Sequence, residues 1–120
     1  MNLIYVAGAY SADTPELIEA NVDAAVKQAA RLNRLGAGRW FAICPHLSHY
    51  IYAVCPMPYE FWTEGDIELL KNCQAIALMP HWKLSRGAVN ENAHASLWGI
   101  PAVNLIDSDE DVAIRLRSLP

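Results

Sequence analysis

The sequence predicts an α/β fold: a flavodoxin-like or Rossmann-like three-layer sandwich on a four- to five-stranded parallel sheet. Three observations carry this. Short β-rich runs alternate with helical patterns along the chain, as in βαβ units with right-handed crossovers. The runs are continuously apolar, as in strands covered on both faces. Finally, 120 residues with 53% hydrophobic content make one domain, 1–120, with enough apolar material for a core.

Leu3-Ile4-Tyr5-Val6-Ala7 reads as the first strand, ended by Gly8. Thr14 then offers an N-cap with Pro15 at the first helical position. Ile18, Val22, Ala25, Ala29 and Leu32 mark one face of that helix, and Gly36 is its expected stop. Trp40 to Cys44 is a second strand closed by Pro45, and His46 to Pro58 is irregular with room for one short helix. Helical spacing returns from Glu60 to Asn72. Ala75 to Met79 is a third strand, ended by Pro80. Ser85 to Trp98 is a third long helix stopped by Gly99, and Ala102 to Ile106 a fourth strand. Ser108 with Asp111 three residues later opens a short last helix.

With strand one between strands two and three, a crevice opens beside the carboxyl ends of strands one and three. Two loops face it: Gly8-Ala9-Tyr10-Ser11, and Pro80 through Gly87. The helix starting near Ser85 aims its N-terminal amides there, a ready place for an anion.

Composition narrows the function classes. Nine basic and thirteen acidic residues, scattered along the chain, leave a net charge of −4 and no footprint for nucleic acid or an anionic membrane. No apolar stretch approaches the ~20 residues that span a bilayer, and no basic n-region marks a signal peptide. Cys44, Cys55 and Cys73 match no zinc or redox spacing and suit a reducing cytoplasm. Only 18% of residues are charged, and four tryptophans must be placed, so apolar surface is left over for a homodimer or higher homo-oligomer. With no Walker A sequence and no Gly-x-Gly-x-x-Gly after the first strand, NTPase and dinucleotide folds are disfavoured and no cofactor is expected.

Three residues could do chemistry. Glu91 has Ala88 and Ala95 on its own helical face, small neighbours that let a carboxylate project into a cleft. By spacing alone a solvated surface glutamate is the commoner reading, but this helix begins at the crevice. Asp66 stands among Trp62, Leu69 and Leu70 at helical spacing, an acid in an apolar stripe. A catalytic acid of shifted pKa and a structural acid serving a nearby loop stand level. Tyr10 could donate to a carboxylate or stack on a base; the plain reading is a loop tyrosine at the core's rim. Two carboxylates and a hydroxyl suit a glycosidic centre with an oxocarbenium-like transition state.

His46 and His49 lack a nearby third ligand, so no metal site is expected and a structural or substrate-contacting role is favoured for His46. Ser85-Arg86-Gly87 suits a phosphate through amides, hydroxyl and guanidinium, although serine is a common N-cap anywhere. Gly8, Ser11 and Trp82 complete the candidate binding residues.

An ordered set of pieces resembles the nucleoside 2-deoxyribosyltransferase superfamily, particularly its small phage and bacterial members. The set begins with Tyr5 to Ser11, then Asn21 and its alanine-rich helix, then Pro45-His46. Phe61-Trp62 with Asp66 and Leu69-Leu70 follow, then Cys73, Trp82, Ser85-x-Gly87-Ala88-x-x-Glu91 and Gly99 to Val103. The resemblance implies that Glu91 is the nucleophile on the anomeric carbon of a 2-deoxyribosyl group. Asp66 would orient or protonate the departing base, and Tyr10 would hold the glutamate. Attack on the glycosyl-enzyme by a second base gives transfer, and attack by water gives hydrolysis. The transferases commonly carry aspartate at the position of Ser85, whereas the related deoxynucleoside monophosphate N-hydrolases carry a serine that contacts the 5′-phosphate. The resemblance thus leans towards a nucleoside monophosphate. The competing expectation is a non-catalytic nucleotide-binding or sequestering module using the same cleft. An adaptor using its tryptophans as an interface ranks third, since it leaves Asp66 unexplained.

Overall fold

The computed structural model describes residues Met1–Pro120. Four strands, β1 (Asn2–Ala7), β2 (Trp40–Ile43), β3 (Ala75–Leu78) and β4 (Ala102–Asn104), form one all-parallel sheet in the order β2-β1-β3-β4. Strand one lies between strands two and three, which creates the expected topological switch. Five helices complete the chain: α1 (Pro15–Gly36), α2 (Ser48–Val54), α3 (Tyr59–Lys71), α4 (Arg86–Leu97) and α5 (Asp109–Arg117). No helix is long and apolar enough to cross a membrane.

The period of two in β1 divides the core. Ile4 and Val6 enter one cluster with Ala25 and Leu32 of α1, Trp40 of β2, and Val112 and Leu116 of α5. Tyr5 and Ala7 enter the other, with Leu70 of α3, Ile76 and Leu78 of β3, and Ala88 and Ala95 of α4. The first face is aliphatic and large. On the second, the small Ala88 and Ala95 allow α4 to pack close to the sheet, and a fully buried tyrosine occupies its centre.

Local chemistry sets the ends. Thr14 caps α1 by accepting from the Leu17 amide at 3.2 Å. The helix runs through Gly36, and the turn comes one residue later than expected, with Ala37 and Gly38 both at positive φ. Gly36 is needed for another reason: a Cβ there would lie 2.8 Å from the Trp40 ring. That ring is buried, and its Nε1 donates to the Leu32 carbonyl at 2.7 Å. β2 and β4 are shorter than expected, since Cys44 leads directly into a 3₁₀ turn (Pro45–Leu47) and the chain turns after Asn104. Arg31 fastens this last turn by donating to the Leu105 and Asp107 carbonyls and pairing with Asp109 at 2.6 Å.

Candidate active site at the carboxyl end of the sheet

The hydroxyl that holds Glu91 belongs to Tyr5. From the fully buried β1, Tyr5 donates to Oε2 of Glu91, which α4 presents across from the sheet. A buried tyrosine hydroxyl needs a partner, and the fold supplies one 86 residues away. Asp66 on α3 lies close enough for its charge to act on both groups. Tyr5, Asp66 and Glu91 thus form one cluster between β1 and the α3–α4 layer.

Its electrostatics follow from the loss of water. Burial pushes the Glu91 carboxyl up to about 8; the Tyr5 hydrogen bond opposes this and the Asp66 charge adds to it. Burial also lifts Asp66 to about 6. Tyr5 is raised strongly, first by burial and then by the two carboxylates, and stays a hydroxyl donor at any ordinary pH. Two carboxyls raised in one place, with a fixed donor on one of them, are suited to holding and passing a single proton. The apolar stripe around Asp66 is narrower than its spacing implied. Leu70 is buried and Ile67 half-buried, whereas Leu69 is exposed and Trp62 is turned towards the Met57 carbonyl.

Tyr10, expected to hold Glu91, does not. Its hydroxyl meets Nδ1 of His49 at 2.8 Å instead. The difference is one of strand register: Tyr5 lies within β1, facing α4, while Tyr10 comes after the strand has ended and packs against the Pro45–Val54 segment. Asn21 on α1 fixes this loop by donating to the Tyr10 carbonyl at 2.9 Å.

His46 is buried beneath the same loop. Its Nε2 lies 3.2 Å from both the Gly8 and Ala9 carbonyls, so it is the protonated nitrogen and acts as donor. Burial lowers its pKa, which keeps the ring neutral. Nδ1 is then a buried acceptor without a partner in the chain. Gly8 is required by close approach, since a Cβ would overlap the Met79 side chain. Gly8 and His46 therefore shape the loop, and Ser11 is exposed beyond it. His46 and His49 are engaged separately, and no three His, Cys, Asp or Glu side chains are grouped as metal ligands.

Ser85 caps α4, its Oγ accepting from the Ala88 amide at 3.2 Å. Its hydroxyl hydrogen is left free to donate. Arg86 is exposed and Gly87 half-buried at the same helix start. Trp82, in a 3₁₀ turn (Trp82–Leu84), packs against the core cluster that holds Tyr5, and with His81, Leu84, Asn104 and Ile106 it lines a recess of about 330 Å³ near the ends of β3 and β4. The structure thus joins Glu91 and Asp66, adds Tyr5, and groups Tyr10, His46 and Gly8 separately.

Tyr5 is the member of this cluster that the sequence did not single out for chemistry, because it sits inside a run otherwise fit for a core strand. Its hydroxyl was the available signal, since no other side chain in Leu3–Ala7 carries a polar atom. No protein-family model matches the chain, and no curated protein is significantly similar to it, so the geometry of this cluster carries the functional reading.

Proposed function

We propose that this protein cleaves or exchanges the N-glycosidic bond of a deoxynucleotide or nucleoside through Glu91 as nucleophile. The observation that supports this best is the Tyr5 hydroxyl on the half-buried Glu91, with the half-buried Asp66 near enough for its charge to act on both. A glycosidic centre needs one carboxylate to meet the developing positive charge at the anomeric carbon and one acid to protonate the leaving group.

In this mechanism Glu91 forms a C–O bond to the anomeric carbon as the C–N bond breaks. The bonding pair leaves with the base nitrogen, which takes a proton from Asp66. Water or a second base then attacks the same carbon, the ester C–O pair returns to Glu91, and the proton of the attacking group goes to Asp66. Between about pH 6 and about pH 8 the carboxyl pair holds one proton. A sugar acquiring positive charge favours ionised Glu91 with the proton on Asp66, and the Tyr5 donor stabilises that arrangement as well. The resulting pH–rate profile is a bell centred near pH 7.

Ser85 and the first amides of α4 favour a 5′-phosphate over a free 5′-hydroxyl. The three free thiols fit a cytoplasmic setting. The test is chromatographic: the protein is incubated with deoxynucleoside monophosphates and nucleosides, with and without an added acceptor base. Release of free base supports the reading, and acceptor dependence separates transfer from hydrolysis. Ligand binding without any release, retained in Glu91→Gln, would instead favour a sequestering module.

A further inference from the structure

The recess at the ends of β3 and β4 has no part in the chemistry proposed above. Its volume, about 330 Å³, falls within the ~300–1,000 Å³ of small-molecule pockets. Buried Leu78 and Met79 and exposed Leu84 and Ile106 give it an apolar lining. Trp82, half-buried on the cluster that holds Tyr5, lines it as well, and Asn104 adds an amide that both donates and accepts. A flat ring with a polar edge suits such a lining, whereas a purely aliphatic ligand leaves the amide unused.

Charge and backbone single out the same place. Lys83 holds its ammonium 5.8 Å from the centroid of the Trp82 ring. The ion pairs of the chain lie elsewhere, at Arg31–Asp109 and His49–Glu19, so this ammonium is left for an anion from outside. Its flexible stem lets it swing from the ring to that anion and leave the ring for stacking. His81, between Pro80 and the turn, is held at φ 64° and ψ 18°, a left-handed conformation that costs free energy and gathers at ligand clamps. The wall of the recess then runs straight into the start of α4. The Ser85 amide donates to the Trp82 carbonyl at 3.0 Å, and three residues of 3₁₀ turn rise only about 6 Å. A phosphate at Ser85 is thus one short turn of chain from the recess.

We propose that the recess takes the second nucleoside of a phosphate-bridged dinucleotide, with its base on Trp82 and the bridge between Ser85 and Lys83. This rests on the phosphate placed at Ser85 under the proposed function, and it extends the substrate class beyond a mononucleotide. A mononucleotide leaves the recess empty and Lys83 without an anion. A longer strand is disfavoured, since a net charge of −4 leaves no basic track to follow it. The missing glycine motif after β1 bears on a pyrophosphate held at that first turn, whereas this bridge lies on α4.

Calorimetric titration of the Glu91→Gln protein, which spares the ligands, is the test. The probes are a deoxymononucleotide, a 3′–5′ deoxydinucleotide and a 5′,5′-diphosphate dinucleotide. At least one dinucleotide should bind roughly tenfold or more tightly than the mononucleotide, the worth of one stacked base. The larger margin identifies the bridge. Adding Trp82→Leu should bring the ratio of the two Kd values towards one. So should Lys83→Glu, at an exposed side chain whose loss leaves the packing intact. Leu97→Asp, on the 81% exposed end of α4, should keep the ratio. No binding, equal affinity for all three probes, or a margin that survives both recess substitutions would overturn the proposal. Base release by wild type is scored separately. A margin without release keeps the recess and refutes the glycosidic reading; release without a margin does the reverse.

Discussion

Tyr5 and Tyr10 flank the carboxyl end of β1, yet their surroundings differ in nearly every respect. Tyr5 is fully buried and donates to a carboxylate that burial has pushed up to about 8. Tyr10 is half-buried and meets an imidazole that also faces Glu19 at 3.7 Å. Burial raises the Tyr10 hydroxyl too, but the charged groups acting on Tyr5 are two half-buried acids. The lesson is that the end of a strand separates two chemical compartments. One sets a buried tyrosine hydroxyl on a half-buried carboxyl; the other fastens a loop at the protein's edge.

The sharpest way to break this contrast is at Glu91. Glu91→Gln should reduce turnover by on the order of a thousandfold or more, since it removes the nucleophile. The same change should raise stability at alkaline pH. An acid whose folded pKa is raised stabilises the fold fully below its ordinary value near 4.5 and loses that contribution as pH rises towards about 8. Above pH 8 the wild type carries a penalty on the order of a few kcal/mol that the glutamine lacks. Denaturant melts of both proteins at pH 5 and pH 9 would show the curves converging at the lower pH; equal gaps at both would mean that Glu91 is well solvated.

Tyr5→Phe is next. Losing the donor makes ionised Glu91 less favourable, so the shared proton moves further from Asp66. Turnover near pH 7 should fall roughly tenfold to a hundredfold, with the alkaline limb of the bell moved to higher pH. A fall with no movement of that limb would place Tyr5 outside the proton balance.

Ser85→Asp should have a selective effect. Aspartate is as good an N-cap as serine, so α4 should remain intact. Its charge should weaken a monophosphate roughly tenfold more than the matching nucleoside, and equal KM changes for the two would remove the phosphate preference.

Tyr10→Phe should matter least, costing about 1 kcal/mol of stability for one half-exposed hydrogen bond. Its effect on turnover should stay within a few-fold. A loss as large as that of Tyr5→Phe would erase the distinction between the two compartments.

Much of the fold was legible because it depends on local patterns. Leu3–Ala7 and Ala75–Met79 are apolar without alternation, which predicts central parallel strands, and they are the inner pair. Thr14-Pro15, Ser85 and Ser108 are caps by chemistry alone, and each accepts the expected amide. Glu91 and Asp66 could be singled out because small or apolar neighbours at helical spacing leave an acid conspicuous. What stayed hidden depends on pairing across the fold. Nothing near Tyr5 in the chain indicates that α4 will bring a carboxylate to it, and nothing near His46 shows that two carbonyls of the β1 loop will descend onto its Nε2. The end of α1 falls at Gly36 as expected, but for a different reason. Gly36 was read as a stop, whereas its lack of a side chain serves the Trp40 ring and Ala37 takes the left-handed turn.

The central claim is that Glu91 bonds to the sugar during turnover. The measurement closest to it is peptide mapping by mass spectrometry after rapid acid quench, using a substrate whose 2-fluoro substituent slows breakdown of a glycosyl-enzyme. The account predicts a mass increase equal to one sugar unit on the peptide containing Glu91, absent from Glu91→Gln. Free base released by wild type and glutamine variant alike, with no adduct on that peptide, would contradict it.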